Sequence, residues 1–410
     1  MKQLLTFFLA FSVHTAMANT IEVGRTKVIT SLRKGIELAQ PYDTVLVQKG
    51  VYREGNIVIG KPLYLIGVDE PTLDGEGKTE LLTLTGRNIV VKGFSFLNSG
   101  YSAMNDFASV KVIDAENVIL ENNTVQNAYF AFHIANTTYS IIRNNTIKGN
   151  AKSEQTSGNG IHLWKCENML VEDNHTEGHR DGIYFEFVTH SVIQNNYSTR
   201  NIRYGLHFMF SHNNAYMGNT FKDNGAGVAV MYSNKVLMHS NIFDHNWGPS
   251  AYGILLKEIS DSRIIHNTFY QNTVAILMEG TNRIAVERNT FNANGWAMKV
   301  QASCDDNTFF HNNFLANTFD LGTNGTMLLN RFYSNYWDKY DGYDMNKNGL
   351  GDVPYHPVSM YSMVVERNPN SLLVLRSFMV SLLDKAEKAI PSLTPAHLTD
   401  ELPRMKPIQL

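Results

Sequence analysis

Short strings recur along this chain at a nearly fixed interval. NNTV (122–125), NNTI (144–147), GNTF (218–221), HNTF (266–269) and RNTF (288–291) have looser copies in DNHT (173–176), NNYS (195–198), SNIF (240–243) and HNNF (311–314). Aligned on one asparagine they give Asn123, Asn145, Asn174, Asn196, Asn219, Asn241, Asn267, Asn289 and Asn312. The steps are 22, 29, 22, 23, 22, 26, 22 and 23 residues. So regular a period marks a solenoid. Apolar residues alternate with period two inside each unit (NVILE, SIIRN, GILLK), a strand pattern bounded by Gly and Asn turns. A unit of about 22 residues holds two or three short strands and no crossover helix, so stacked units pair in parallel. The fold class expected is all-β, a parallel β-helix. The repeated asparagine is assigned to a left-handed turn, and stacking turns it into an asparagine ladder. Phe221, Phe243, Phe269, Phe291 and Phe314, two residues further on, become an inner aromatic stack.

A second register runs Gly160, Gly182, Gly205, Gly227, Gly253, Ala275, Ala297, each followed by a strand whose first and third residues are apolar and face inward. The outward second positions are His133, His162, Tyr184, His207, Ala229, Leu255, Leu277 and Lys299. The outward fourth positions are Ala135, Trp164, Glu186, Met209, Met231, Lys257, Glu279 and Gln301. With coils about 4.8 Å apart, His207, Met209 and Met231 share one exposed patch. His162 stands roughly 10 Å from His207, with Tyr184 and Glu186 between. Insertions at 148–159 and 244–251 flank the patch, and insertions in solenoids collect on binding faces.

Imidazole and thioether are soft ligands that suit copper, Cu(I) in particular. The candidate copper ligands are therefore His133, His162, Glu186, His207, Met209 and Met231, with Glu186 the least natural of them. Surface decoration is the simpler explanation of any one of these side chains, and only three histidines in one column beside two adjacent methionines bring the two readings level. A second candidate is DMNKNGLGD, where Asp344, Asn346, Asn348 and Asp352 match the start of a calcium loop. Tyr355 stands where the bidentate acid belongs, so an Asn-Gly turn accounts for it as readily. The rival for the outer face is carbohydrate binding or cleavage through Trp164, Arg180, Asp181 and Glu186. Such catalysis needs acids converging on one sugar, and here the acids are few. A salt-bridged turn explains GHRDG (178–182) more simply.

Residues 1–18 read as a secretory signal peptide, with Lys2, an apolar run too short to span a bilayer and a small-residue end. The β-helix with its N-terminal cap is assigned to 19–335, the cap containing a helix at Thr30–Ala39. A C-terminal cap and docking region occupies 336–410, with an amphipathic helix at 371–389 and an extended Pro-containing tail. Net charge is −3, from 35 Lys and Arg against 38 Asp and Glu, and the absence of a basic run argues against nucleic acid. Cys166 and Cys304 lie in coils six steps apart, roughly 29 Å, and are expected as separate thiols.

GNGIHLW (158–164), GHRDGIYFEF (178–187), RYGLHFMFS (203–211), GAGVAVMYS (225–233), YGILLK (252–257), NYWDKYDGYD (335–344) and GDVPYHPVS (351–359) resemble, in order and over nearly the whole mature chain, the NosD-type periplasmic maturation proteins. The resemblance implies a right-handed β-helix and a non-enzymatic role in assembling the copper centres of nitrous oxide reductase. Its implied partners are an ABC transporter permease with its ATPase, a copper-chaperone lipoprotein and the reductase itself. The C-terminal region would make peripheral membrane contact through the permease. It assigns no ligand residue.

Overall fold

A computed structural model describes residues 18–102, 106–325, 329–375, 377–389 and 398–410. The expected signal peptide lies outside them except for Ala18. Every strand pair is parallel, and each coil passes its strands to the next in register, for example Ile183↔Leu206↔Val228↔Ile254. The strands form a 13-stranded and a 24-stranded sheet. The larger sheet unites two faces because strands Leu82–Lys92 and Ala108–Glu121 run around the corner between them. The first half of 108–121 pairs with Phe130–Ala135 and its second half with Ile141–Arg143.

The interior is a set of stacked rows. Each ladder asparagine donates both its backbone N–H and its Nδ2–H to the Oδ1 of the next, from Asn123 to Asn145 (3.0 and 3.1 Å) through to Asn312 and Asn335 (2.9 and 3.0 Å). The other Nδ2 proton goes to a main-chain carbonyl, as from Asn145 to Leu120 (3.0 Å). This completeness matters because an unpaired buried amide costs about 1–3 kcal/mol. Phe221, Phe243, Phe269, Phe291 and Phe314 stack face to face, and Trp337 closes the row 3.9 Å beyond Phe314.

One sequence expectation needs correction. The left-handed turn falls on the residue before each ladder asparagine: Asn122, Asn144, Asp173, Asn195, Gly218, Ser240, His266, Arg288, His311 and Ser334 all have positive φ. The ladder asparagine must turn its amide inward, so its neighbour takes the corner.

The N-terminal helix α1 (Leu32–Leu38) lies inside its expected range and is capped by Ser31, whose Oγ accepts from the Lys34 N–H. The C-terminal region departs further from expectation. There is a helix α2 (Met360–Arg367) that the sequence reading missed, and 371–389 is not one helix. It divides into a 3-10 segment (Pro369–Val374) and α3 (Phe378–Ala389), with Leu375 between them in an extended conformation. Proline at the head of the 3-10 segment stops α2, because the preceding residue is pushed out of the helical region. The described part of the tail, 398–410, runs beside the last coil through bridges at Asp400 and Arg404. Asp400 is fully buried and caps the ladder, its Oδ2 accepting from the backbone N–H and Nδ2 of Asn335 (both 3.0 Å) and from Trp337 Nε1 (3.1 Å).

Helices α2 and α3 lie over the outward side of the later coils. Tyr361, Val365 and Val380 form a second apolar cluster with Ala229, Leu255, Leu277, Trp296 and Phe319. Lys299 pairs with Glu366 at its edge (2.6 Å).

Candidate metal centre

The strand register places the outward columns as the repeat implies. His133 pairs with His162, His162 with Tyr184, Tyr184 with His207, and Glu186, Met209 and Met231 follow one another in successive coils. The rings of His133, His162, Tyr184 and His207 form one continuous column, with centroids 4.9, 4.8 and 4.9 Å apart. Phe130 meets the first two edge-on at 5.3 and 5.2 Å.

Five of the six candidates separate into two groups. His133 and His162 sit above, His207, Met209 and Met231 below, and Tyr184 divides them. Glu186 accepts a hydrogen bond from the Tyr184 hydroxyl (3.2 Å). His207 points outward but is not exposed, contrary to the sequence expectation: it is 3% accessible. The Tyr204 ring packs 4.8 Å from it, the Tyr184 ring 4.9 Å, and the Arg203 guanidinium lies 3.4 Å from its Nδ1. Met209 and Met231 are half-buried, and Met231 packs against the edge of the cluster beneath α2 and α3.

Hydrogen bonding decides which of these nitrogens has a lone pair to offer. Arg180 Nε donates to Asn159 Oδ1 (3.1 Å), which turns the Asn159 amide N–H towards His162 Nδ1 (3.1 Å). His162 Nδ1 is thereby the acceptor. Burial, with His133 and Arg180 nearby, pushes the His162 pKa down to about 3, so the ring is neutral and its proton sits on Nε2. The His162 lone pair is already used. Burial likewise lowers the pKa of His133, whose Nδ1 is buried without a partner.

His207 is held differently. Its Nδ1 lies 3.6 Å from Asp181 Oδ2. Asp181 is completely buried, and burial alone would raise its pKa. The forked ion pair with Arg203 (Nε to Oδ1 2.8 Å) and the contact with His207 hold it at about 2. Nδ1 thus faces both the Asp181 carboxylate and the Arg203 guanidinium (3.4 Å), while Nε2, on the far side of the ring, is buried with no hydrogen-bond partner. A carboxylate that fixes one ring nitrogen while the other stays free is the usual support of a metal-binding imidazole. Asp181 and Arg203 are positioning residues that sequence reasoning missed. GHRDG pointed to a salt bridge at Asp181, but its partner lies a whole coil away in the chain.

Among the described residues no three His, Cys, Asp or Glu side chains converge as a metal-ligand cluster. A metal on this face would need thioether sulfur. On one strand face His207 stands two residues before Met209, and Met231 pairs with Met209 in the next coil.

The 344–352 loop is stitched by its own backbone. Asp344 accepts from the N–H groups of Asn348 (3.1 Å) and Gly349 (2.8 Å), Asn346 from Asn348 (3.0 Å), Asn348 from Leu350 (2.8 Å) and Asp352 from Met345 (2.6 Å). With Gly349 at φ 86°, an Asn-Gly turn explains the loop without an ion. The residues of the carbohydrate rival are also engaged: Arg180 is tied to Asn159, Asp181 is buried in its ion pair, and the Lys165 ammonium lies over Trp164 (4.3 Å). A cavity of about 620 Å³ lies elsewhere, between Phe319–Asp320 and the C-terminal helices, and none of the candidate residues lines it. Cys166 and Cys304 are free, buried thiols, and burial raises the Cys166 pKa to about 11.

Solved structures have similar folds. They include a family 87 α-1,3-glucanase catalytic unit from Streptomyces thermodiastaticus (TM-score 0.59, 14% identity, 75% of this chain and 62% of that one). The A-module of a mannuronan C-5 epimerase from Azotobacter vinelandii has TM-score 0.55 and 15% identity, over 74% and 94% of the two chains. At such identities the likeness shows the parallel β-helix and nothing of the chemistry. Among curated sequences, the "Probable ABC transporter binding protein NosD" of Pseudomonas aeruginosa is 29% identical over 370 residues, 86% of each chain. The protein of the same name from Stutzerimonas stutzeri is 25% identical over 381 residues, 86% of this chain and 85% of that one. Residues 143–348 match the family model "Periplasmic copper-binding protein (NosD)", a span that holds every outward candidate ligand except His133. This chain belongs to the NosD family of periplasmic copper-binding proteins.

Proposed function

We propose that this protein accepts Cu(I) in the periplasm on the outward face of its middle coils and passes it, with an ABC transporter, towards the copper centres of nitrous oxide reductase, without being an enzyme itself. The observation that carries this reading is His207. Its unpartnered Nε2 lies on the same strand face as Met209, and Met231 is next to Met209 in the following coil. One neutral imidazole and two thioethers form an uncharged soft ligand set, which favours Cu(I) over calcium or magnesium. Half-buried methionines suit ligand-by-ligand exchange with a copper-chaperone lipoprotein and the reductase. His133, with its own unpartnered Nδ1, is the natural second donor, and His162 would join only after Asn159 releases it.

The permease and its ATPase enter through the C-terminal segment. The 3-10 segment and the start of α3 expose Leu373 (90%), Phe378 (81%) and Met379, an apolar ridge suited to a membrane-embedded partner. No helix among the described residues is long and apolar enough to cross a membrane.

The test is a Cu(I) titration of the mature protein against a calibrated competing chelator, with Met209→Ala/Met231→Ala in parallel. Competition by the parent that weakens in the double variant supports the reading. If neither protein competes, or both compete equally, the copper face is elsewhere.

A further inference from the structure

At the C-terminal end of the solenoid, far along the chain from the His207 group, a cavity of about 320 Å³ is walled by His266, Arg288, His311 and Arg404, with the chain end 408–410 on its remaining side. His266, Arg288 and His311 take the same left-handed corner in three successive coils (φ 55°, 52° and 54°), each directly before a ladder asparagine. Stacking these three corners brings two imidazoles and a guanidinium to one wall of the cavity. Arg404 comes from the tail. Its backbone N–H donates to Asn335 O (2.8 Å), which aligns it beside the last coil. Among the described residues Arg404 makes no ion pair, and its Nε is buried without a hydrogen-bond partner.

The cavity wall contains no carboxylate side chain. The nearest acids are partly committed: Glu287 contacts Arg288 (3.7 Å) and Arg263 (3.4 Å), and Asp400 caps the ladder. The groups facing His266 are His239, Arg288 and Glu287. Those facing His311 are Arg404, Arg288, Glu287 and Asp400. Burial first, and then these cations, lower the pKa of both imidazoles. Two guanidinium groups and two imidazoles line the cavity, with Glu287 beside Arg288 and the chain end Leu410 as the neighbouring acids.

We infer that this cavity binds a tetrahedral oxyanion, a phosphate or sulfate group, held between the guanidinium groups of Arg288 and Arg404. Guanidinium forks match such oxygens two at a time, and a buried Nε with no partner is the donor an oxyanion would satisfy. The volume leaves room for a substituent, so the group can be a free ion or an ester. A bound anion favours the imidazolium forms of His266 and His311. Binding therefore takes up protons and tightens as pH falls.

The test uses the full mature chain and follows the imidazole resonances of His266 and His311. Inorganic phosphate, inorganic sulfate and glycerol phosphate are added separately at constant ionic strength, with chloride as the control. The expected result is a saturable shift of both rings, an upward move of their titration midpoints, and affinity about tenfold or more weaker in Arg404→Gln. Saturation by inorganic ions identifies a free ion as the ligand, and saturation by glycerol phosphate alone identifies an ester; either supports the site. Arg288→Gln is the second variant, and thermal unfolding checks that both fold. Shifts matched by chloride, absent with all three ligands, or unchanged in both variants overturn the proposal.

Discussion

The middle and later coils share one backbone and one interior, yet their outer faces have opposite fates. From His133 to His207 the outward column is aromatic and imidazole, and no helix among the described residues packs on it. From Ala229 to Leu277 the same positions are apolar and are covered by Tyr361, Val365 and Val380. The asparagine ladder runs through both regions without a break, while the phenylalanine row begins at Phe221 and continues Ile147, Thr176 and Ser198 of the earlier coils. The outward residue, and not the strand, decides whether a coil presents donors or receives a cover. Met231 sits on the boundary, since it neighbours Met209 on one side and the covered cluster on the other.

The largest effect should come from breaking the hidden support of the open region. Asp181→Ala leaves the Arg203 guanidinium without its buried partner and should cost about 3 kcal/mol in chemical denaturation. Asp181→Asn keeps the shape but loses the charge, and should weaken Cu(I) binding about 10- to 100-fold if His207 is a ligand. Unchanged affinity would detach Asp181 from the copper face.

Next is the covered region. Leu277→Ala removes packing beneath α2 and should cost about 2–4 kcal/mol, with faster proteolysis in 369–382. Truncation at His133, outward but under no helix, should cost less than about 1 kcal/mol. Similar losses at both positions would erase the contrast between the regions.

Acid should also act on the open region. His162 and the fully buried His179 have pKa values pushed down to about 3 and about 4 by burial, below the usual value of about 6.5. Because the folded-state values are depressed, their stabilising contribution is complete above about pH 6.5 and drains away as pH falls towards 4. Each costs about tenfold in the folding equilibrium per pH unit. His162→Gln should flatten that slope by one proton in denaturant titrations between pH 7 and 4.

The smallest effect on stability belongs to Met209→Leu/Met231→Leu, less than about 1.5 kcal/mol for a volume-conserving change. The same variant should still lose Cu(I) competition. Lost stability without lost copper would make the pair packing, not a site.

The architecture was legible because a repeat is stated many times over. Nine aligned asparagines leave little freedom, and the ladder, the phenylalanine stack and the inward and outward registers all follow from them. The cover over the later coils had a signal too, since Ala229, Leu255 and Leu277 are apolar at outward positions that could not remain bare. What lay over them could not be read. The helix α2 has only eight residues, and its meaning comes from contacts with coils about a hundred residues earlier.

Sequence alone therefore determined the period, the fold class and the two adjacent outward columns on which His207 and the pair Met209 and Met231 stand, because neighbouring coils repeat a local pattern. Only the tertiary structure decided that His207 is buried, that Asp181 and Arg203 hold it, that Asn159 occupies the His162 lone pair, and that Asp400 ends the ladder. These outcomes depend on one side chain meeting another across coils or from the returning tail, and no local period encodes such a meeting.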